Sequence, residues 1–262
     1  MIFYRITKYL NYILLSRHRK GYGIHSPFVF DLVSRIFRNK TDPAIVFTVE
    51  QIRKKMISDE RTVTFEDLGT RSGSLNINLR KVSEIARYSP VPKKYGKLLS
   101  NMAFEFGDPL IIELGTSLGI STMYMAASCP GATVYTIEGS SEIAAIAKQN
   151  FVEGGFKNIN VLEGPFDEVL PGLASEGKRP GMVFIDGNHR KESVIKYFNQ
   201  LAEISDSKTV IIIDDINYSK EMGEAWNKMK LHEKVSVSID LYRMGILFFR
   251  QGISHNDYII RC

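Results

Sequence analysis

The feature that most constrains this chain is an alternation that begins at Leu110. Short apolar runs at residues 110–114, 132–138, 159–162, 181–186 and 209–214 alternate with stretches of helical periodicity. Ile120, Met123, Tyr124 and Ala127 recur at helical spacing, as do Ile143, Ile146, Ala147 and Phe151. Ser140 or Ser141 caps the start of that second stretch and Gly154 ends it. Further helices are expected over 191–204 and 219–231. Strand and helix in strict turn predict βαβ units and a parallel sheet. Two last β-rich runs, 234–240 and 244–250, follow with only a few residues between them. No crossover helix fits there, so these two strands must lie antiparallel. The expectation is an α/β chain with a mostly parallel seven-stranded sheet and a C-terminal antiparallel strand.

Residues 1–108 lack this alternation. Turn and cap signals (Gly21-Tyr22-Gly23, Ser26-Pro27, Thr41-Asp42-Pro43, Ser89-Pro90-Val91-Pro92) separate helix-like stretches. A largely helical appendage over 1–108 and a main domain over 109–262 are therefore expected. The first sixteen residues mix Phe3, Tyr4, Ile6, Leu10 and Leu14 with Arg5, Lys8 and Asn11, and Arg17-His18-Arg19-Lys20 follows. Polar residues interrupt the stretch too early for a signal peptide. It reads as an amphipathic helix docked on its own domain or on a second subunit, so a homodimer is allowed. A membrane-surface helix is the sharper alternative. No apolar run approaches the roughly 20 residues of a membrane span. Cys129 and Cys262 give no disulfide framework or zinc spacing, so a reducing cytoplasm is expected. The formal charge of +5 is read first as a solvated surface rather than a nucleic-acid footprint.

Chemistry concentrates at the carboxyl ends of the runs. Glu113-Leu114-Gly115-Thr116-Ser117-Leu118-Gly119 leaves the first strand and opens a helix. Glycines there let the backbone turn and approach a ligand, and the helix start offers free N–H groups. The pattern E-x-G-x-x-x-G misses the dinucleotide fingerprint. The next strand ends at Glu138, followed by Gly139; an acid there can accept both hydroxyls of a ribose. Gly164 and Phe166 follow the third strand, where backbone and ring could meet an adenine, although a lone Phe is more often core. A second glycine segment at 66–73 lacks the flanking βαβ unit and is read as a loop.

Asp186 ends the fourth strand, and Asp214 and Asp215 end the fifth. Neighbouring strands lie about 4.8 Å apart, so three carboxylates would converge. Such a cluster repels itself unless a cation sits in it, and hard oxygen ligands suit Mg²⁺. The other use of these residues is local: Asp215 capping the next helix and Asp186 ordering a loop.

With these motifs, residues 110–250 resemble a Rossmann-like class I S-adenosylmethionine-dependent methyltransferase. They are most similar to the metal-assisted O-methyltransferases of catechol and macrolide-sugar type. Ile185-Asp186-Gly187-Asn188-His189 resembles that family's Asp-Gly-x-His turn, and Asp214-Asp215 its second metal-binding pair. The resemblance implies cofactor contacts from Glu113, Gly115, Thr116, Ser117, Gly119, Glu138, Gly139, Gly164, Phe166 and Asp186. It also implies metal ligation by Asp186, Asp214 and Asp215. Where catechol-type enzymes place a catalytic lysine, this chain has His189, whose imidazole can take a proton. The implied activity is methyl transfer to a hydroxyl oxygen of a small molecule. The alternatives are a nucleic-acid methyltransferase, disfavoured because no Asn/Asp-Pro-Pro-aromatic motif follows the fourth strand, and a non-catalytic or nicotinamide-type nucleoside-binding protein.

Overall fold

The computed structural model describes residues 2–16, 23–66, 77–175 and 177–261. Residues 17–20 and 67–73, singled out above, and Cys262 lie outside the described residues. The chain divides into two compact units, Lys40–Glu176, and Met1–Asn39 with Gly177–Cys262. Among the described residues the main sheet holds eight strands.

Helix α1 (Ile2–Leu15) and α2 (Pro27–Asp31), which runs into a π turn at Leu32–Ile36, open the chain. In the Lys40–Glu176 unit, Asp42 accepts the Ala44 N–H at 2.8 Å and Pro43 starts α3 (Pro43–Ile57), a cap that satisfies one orphan donor of the first turn. Strands β1 (Thr62–Glu66) and β2 (Ile77–Lys81) pair antiparallel. The second glycine segment thus begins inside a strand at Glu66. The β-branched run Thr62-Val63-Thr64 suits such pairing. Helices α4 (Val82–Tyr88) and α5 (Lys93–Phe106) follow.

The alternation then proceeds through β3 (Leu110–Leu114), α6 (Ile120–Ser128), β4 (Thr133–Glu138), α7 (Ser141–Glu153), β5 (Ile159–Glu163) and α8 (Phe166–Ser175). The three strands run parallel in the order β3-β4-β5. Every residue of β3 is buried, as a parallel strand covered on both faces must be. Leu118, Ile120, Met123, Ile143, Ile146 and Phe151 pack with Val49, Ile52 and Met56 of α3. The hydroxyl of the buried Tyr124 donates to Glu50 at 2.8 Å.

The other unit carries β6 (Met182–Ile185), α9 (Lys191–Ile204), β7 (Val210–Ile213), α10 (Lys220–Met229), β8 (Val237–Asp240), β9 (Gly245–Phe248) and β10 (Asn256–Ile259). Its order is β10-β8-β9-β7-β6. Strand β9 is antiparallel to β8, as the short gap required, and also to β7. The eighth strand, β10, corrects the expected seven. Its Asn256-Asp257-Tyr258-Ile259 run is polar and half exposed, and it pairs parallel to β8. Asp257 is tied down by the Ser238 hydroxyl at 2.5 Å and by Lys230 at 2.9 Å. An edge strand held by side chains leaves no apolar period to read.

Helix α1 docks within this same unit. The Tyr12 hydroxyl donates to the Ile260 carbonyl at 2.8 Å, and the Tyr242 hydroxyl to that of Arg5 at 3.1 Å. Phe3, Ile6, Leu10 and Leu14 on its other side are exposed. Among the described residues no helix is long and apolar enough to cross a membrane.

Candidate functional site

The glycine loop after β3 is held in a shape few sequences allow. Gly115 has φ 103°, Ser117 48° and Gly119 82°, all in the left-handed region that costs a residue with a Cβ. The loop is pinned from several directions. The Gly115 and Thr116 N–H groups both donate to the Ile137 carbonyl, at 3.0 and 3.1 Å. Thr116 and Thr136 share a hydrogen bond of 2.7 Å between hydroxyls. The Leu118 carbonyl accepts from the buried Asn150 amide at 2.9 Å.

Glu138 meets this loop at the end of β4. Its carboxylate accepts the Ser117 N–H at 2.8 Å and the Ser140 N–H at 3.0 Å. Burial pushes its pKa up, opposed by the N–H groups of Ser140, Ser117 and Gly139. The Gly164 N–H donates to the Glu138 carbonyl at 2.9 Å, with Gly164 at φ 135°. The structure therefore gathers Gly115, Thr116, Ser117, Glu138, Gly139 and Gly164 at one end of the β3-β4-β5 strands. Phe166 stands three residues past β5 as the first residue of α8, half-buried. A carboxylate beside a glycine loop, with bare backbone on either side, fits the ribose and flexible arm of a nucleoside cofactor.

Glu113 has a different place from the one expected. It is 0 % exposed, so no ligand reaches it. Its oxygens accept from the Ser121 hydroxyl at 2.6 Å, the Thr136 hydroxyl at 2.7 Å and the Thr122 hydroxyl. Burial raises its pKa to about 7 against the pull of those hydroxyls. Glu113 fastens the first turn of α6 and strand β4 to β3, and so holds the loop from beneath. Three hydroxyls, eight to 23 residues away, define that role; no local pattern announces them.

Gly119 has no room for a side chain. A methyl group there would lie 2.3 Å from Cε1 of the buried Phe151 ring. Gly119→Ala adds this overlap to the left-handed backbone cost, together about 2–4 kcal/mol. The expected result in urea denaturation is a lower midpoint with an unchanged slope. A midpoint equal to wild type would show that Phe151 yields freely.

The acidic end lies in the other unit. Asp186 follows β6, and His189 sits on the same loop with its ring centre 6.0 Å from that of Tyr218. Asn188 has φ 51° and its amide donates to the Tyr197 hydroxyl at 3.2 Å. Asp215 does not cap α10; the Ser219 hydroxyl does, accepting the Met222 N–H at 3.1 Å. Asp214 is 0 % exposed and takes a two-pronged ion pair from Arg243. Nε reaches Oδ1 at 2.9 Å and Oδ2 at 3.0 Å, and Nη2 reaches Oδ2 at 2.6 Å. Asp215 Oδ1 lies 3.7 Å from the same Nε.

Of the three expected Mg²⁺ ligands Asp186, Asp214 and Asp215, Asp214 is engaged by a guanidinium. The cluster does need a cation, and the chain supplies one of its own. A Mg²⁺ ion needs open carboxylate lone pairs and room for water, and the enclosed, guanidinium-bound Asp214 offers neither. Among the described residues, no group of three or more His, Cys, Asp or Glu side chains is arranged to hold a metal. Arg243 is the residue that sequence reasoning missed. It lies in the β8–β9 turn, 29 positions from Asp214, and its one signal was the unbalanced charge.

Comparison with known proteins agrees with this architecture. Residues 112–216 match the model of a methyltransferase domain. A catechol O-methyltransferase of Niastella koreensis is 32% identical over 129 residues, 48% of this chain and 58% of that protein. An O-methyltransferase of Aspergillus flavus, imqG, is 32% identical over 111 residues, 40% of this chain and 44% of that protein. The chain thus spans about half the length of the curated relatives it matches. Among solved structures, the O-methyltransferase TomG of Streptomyces achromogenes in complex with S-adenosylmethionine superposes with a TM-score of 0.56 at 18% identity. That match covers 85% of this chain and 95% of TomG. Residues 112–216 thus match a methyltransferase domain, and the chain has the α/β Rossmann-like fold of these solved methyltransferase structures.

Proposed function

We propose that this protein transfers a methyl group from S-adenosylmethionine to a hydroxyl oxygen of a small molecule. One observation carries the reading: a glycine loop with three left-handed residues whose Ser117 N–H is held by the carboxylate of Glu138. Similarity to O-methyltransferases supports it.

In this proposal the backbone of Gly115, Thr116, Ser117 and Gly119 faces the methionine arm, and Glu138 accepts the ribose hydroxyls. Gly139, Gly164 and Phe166 border the adenine. Bound S-adenosylmethionine supplies an electrophilic methyl group. The acceptor oxygen forms the new O–C bond as the S–C bond breaks, and His189 takes the hydroxyl proton. Alignment and deprotonation are most of what such a transfer needs. The acceptor is chosen by elements outside the cofactor loop, within residues 1–108.

The test is calorimetric binding of S-adenosylhomocysteine to the purified chain, with NAD as the control. Micromolar binding of the former and none of the latter is expected. Glu138→Ala removes charge-assisted hydrogen bonds worth about 1.5–3 kcal/mol, so its affinity should fall at least tenfold. Preference for NAD, or no binding of the homocysteine nucleoside, would remove the basis for the proposal.

A further inference from the structure

We infer that Arg243 stands in for the divalent cation at the acidic end of the strands, so that methyl transfer by this chain runs without a metal. The inference rests on the methyltransferase reading and concerns how its acceptor side is balanced.

Three observations lead to it. The first is occupancy. Both oxygens of Asp214 accept from the guanidinium, with contacts of 2.6–3.0 Å, and the residue has no exposed surface. A hard cation bound there would need the same lone pairs and space for its waters. The second is reach. Asp215 lies 3.7 Å from Nε, and Asp186 adds to the negative field that Arg243 feels. One group thus pairs with Asp214, lies near Asp215 and feels the field of Asp186. The third is fixation. Arg243 leaves a tight turn in which Leu241 donates to the Met244 carbonyl at 2.9 Å and Tyr242 adopts φ 70°. The Ile216 N–H donates to the Arg243 carbonyl at 3.0 Å, and the Asn217 amide to that of Tyr242 at 2.8 Å. The guanidinium is thereby carried on a turn bonded directly to the loop that follows Asp214 and Asp215.

The chemical consequence is specific. A bound metal acidifies an acceptor hydroxyl by direct coordination. A guanidinium keeps its protons and has no vacant coordination position. Arg243 is therefore a positioning residue, and the acceptor proton has to leave to a side chain.

The test uses Mn²⁺ alone, titrated into the full-length protein and followed by electron paramagnetic resonance. The wild type is expected to leave the free-ion signal undiminished through the micromolar range, as is Asp215→Asn. Arg243→Gln, which keeps bulk and removes the charge, should bind Mn²⁺ at least tenfold more tightly than the wild type. Calorimetry of S-adenosylhomocysteine should agree within twofold in EDTA and in Mg²⁺. Stoichiometric Mn²⁺ binding by the wild type that weakens in Asp215→Asn overturns the inference. So does a folded Arg243→Gln chain with no gain in Mn²⁺ affinity. Where that variant does not fold, the wild-type titration decides. Absence of nucleoside binding would fell the methyltransferase reading and leave the Mn²⁺ result to stand by itself, so the two failures are distinguishable.

Discussion

Arg243→Ala is expected to lose about 3–5 kcal/mol of folding stability, the usual consequence of stranding one member of a buried ion pair. Asp214 is fully enclosed, and Arg243 supplies its two-pronged contact. Burial already pushes the Asp214 carboxyl above the ordinary range, with Arg243 pulling it back and Asp215 pushing further up. Without the guanidinium the folded-state value rises more. A carboxyl raised in the folded state contributes stability that is fully present below its unfolded value and lost as pH rises through the folded one. The deficit should therefore be smaller at pH 5 than at pH 8. Urea denaturation of wild type and variant at both values measures it. Adding Asp214→Asn to Arg243→Ala should recover most of the loss, because no charge is then stranded. A deficit below 1 kcal/mol, or one equal at both pH values, would contradict the ion pair described here.

Glu113 gives the second large effect. Its folded-state pKa of about 7, raised from 4.5 by complete burial, makes the native protein hold a proton that the unfolded chain releases. The sign follows directly. The contribution is fully present below pH 4.5, falls between 4.5 and 7, and is gone above. The 2.5-unit difference corresponds to about 3 kcal/mol across that window. Glu113→Gln keeps an acceptor for the hydroxyls of Ser121, Thr122 and Thr136 without the titration. It should therefore equal or exceed wild-type stability at pH 8 and flatten the slope between pH 5 and 7. Glu113→Ala leaves those three hydroxyls without their acceptor and opens a void, and it should cost about 3 kcal/mol. Parallel pH profiles for wild type and Glu113→Gln would show that Glu113 does not titrate in this window.

Elements built from local periodicity were legible from the residues alone. All seven strands read as apolar runs are present, and α9 spans the expected 191–204. The same holds for the antiparallel relation of β8 and β9, because a gap of four residues excludes a crossover. The elements missed include the β1–β2 hairpin, held by pairing between two short runs, and β10, a polar edge strand whose Asp257 is fastened by Ser238 and Lys230. Strand β10 has no buried face wide enough to impose a period on its sequence.

The site divides along the same line. Sequence by itself determined the glycine loop, the acid that follows one strand later, and the three aspartates at strand ends, because backbone freedom and strand termination are properties of adjacent residues. Only the tertiary structure decided what those acids face. Glu113 turned inward because hydroxyls from α6 and β4 close around it. Glu138 turned to the loop because Ser117 presents its N–H there. Asp214 met a guanidinium because the β8–β9 turn delivers Arg243 to it. A carboxylate's partner is set by proximity in space, and burial, which decides how strongly that partner matters, exists only once the chain has folded.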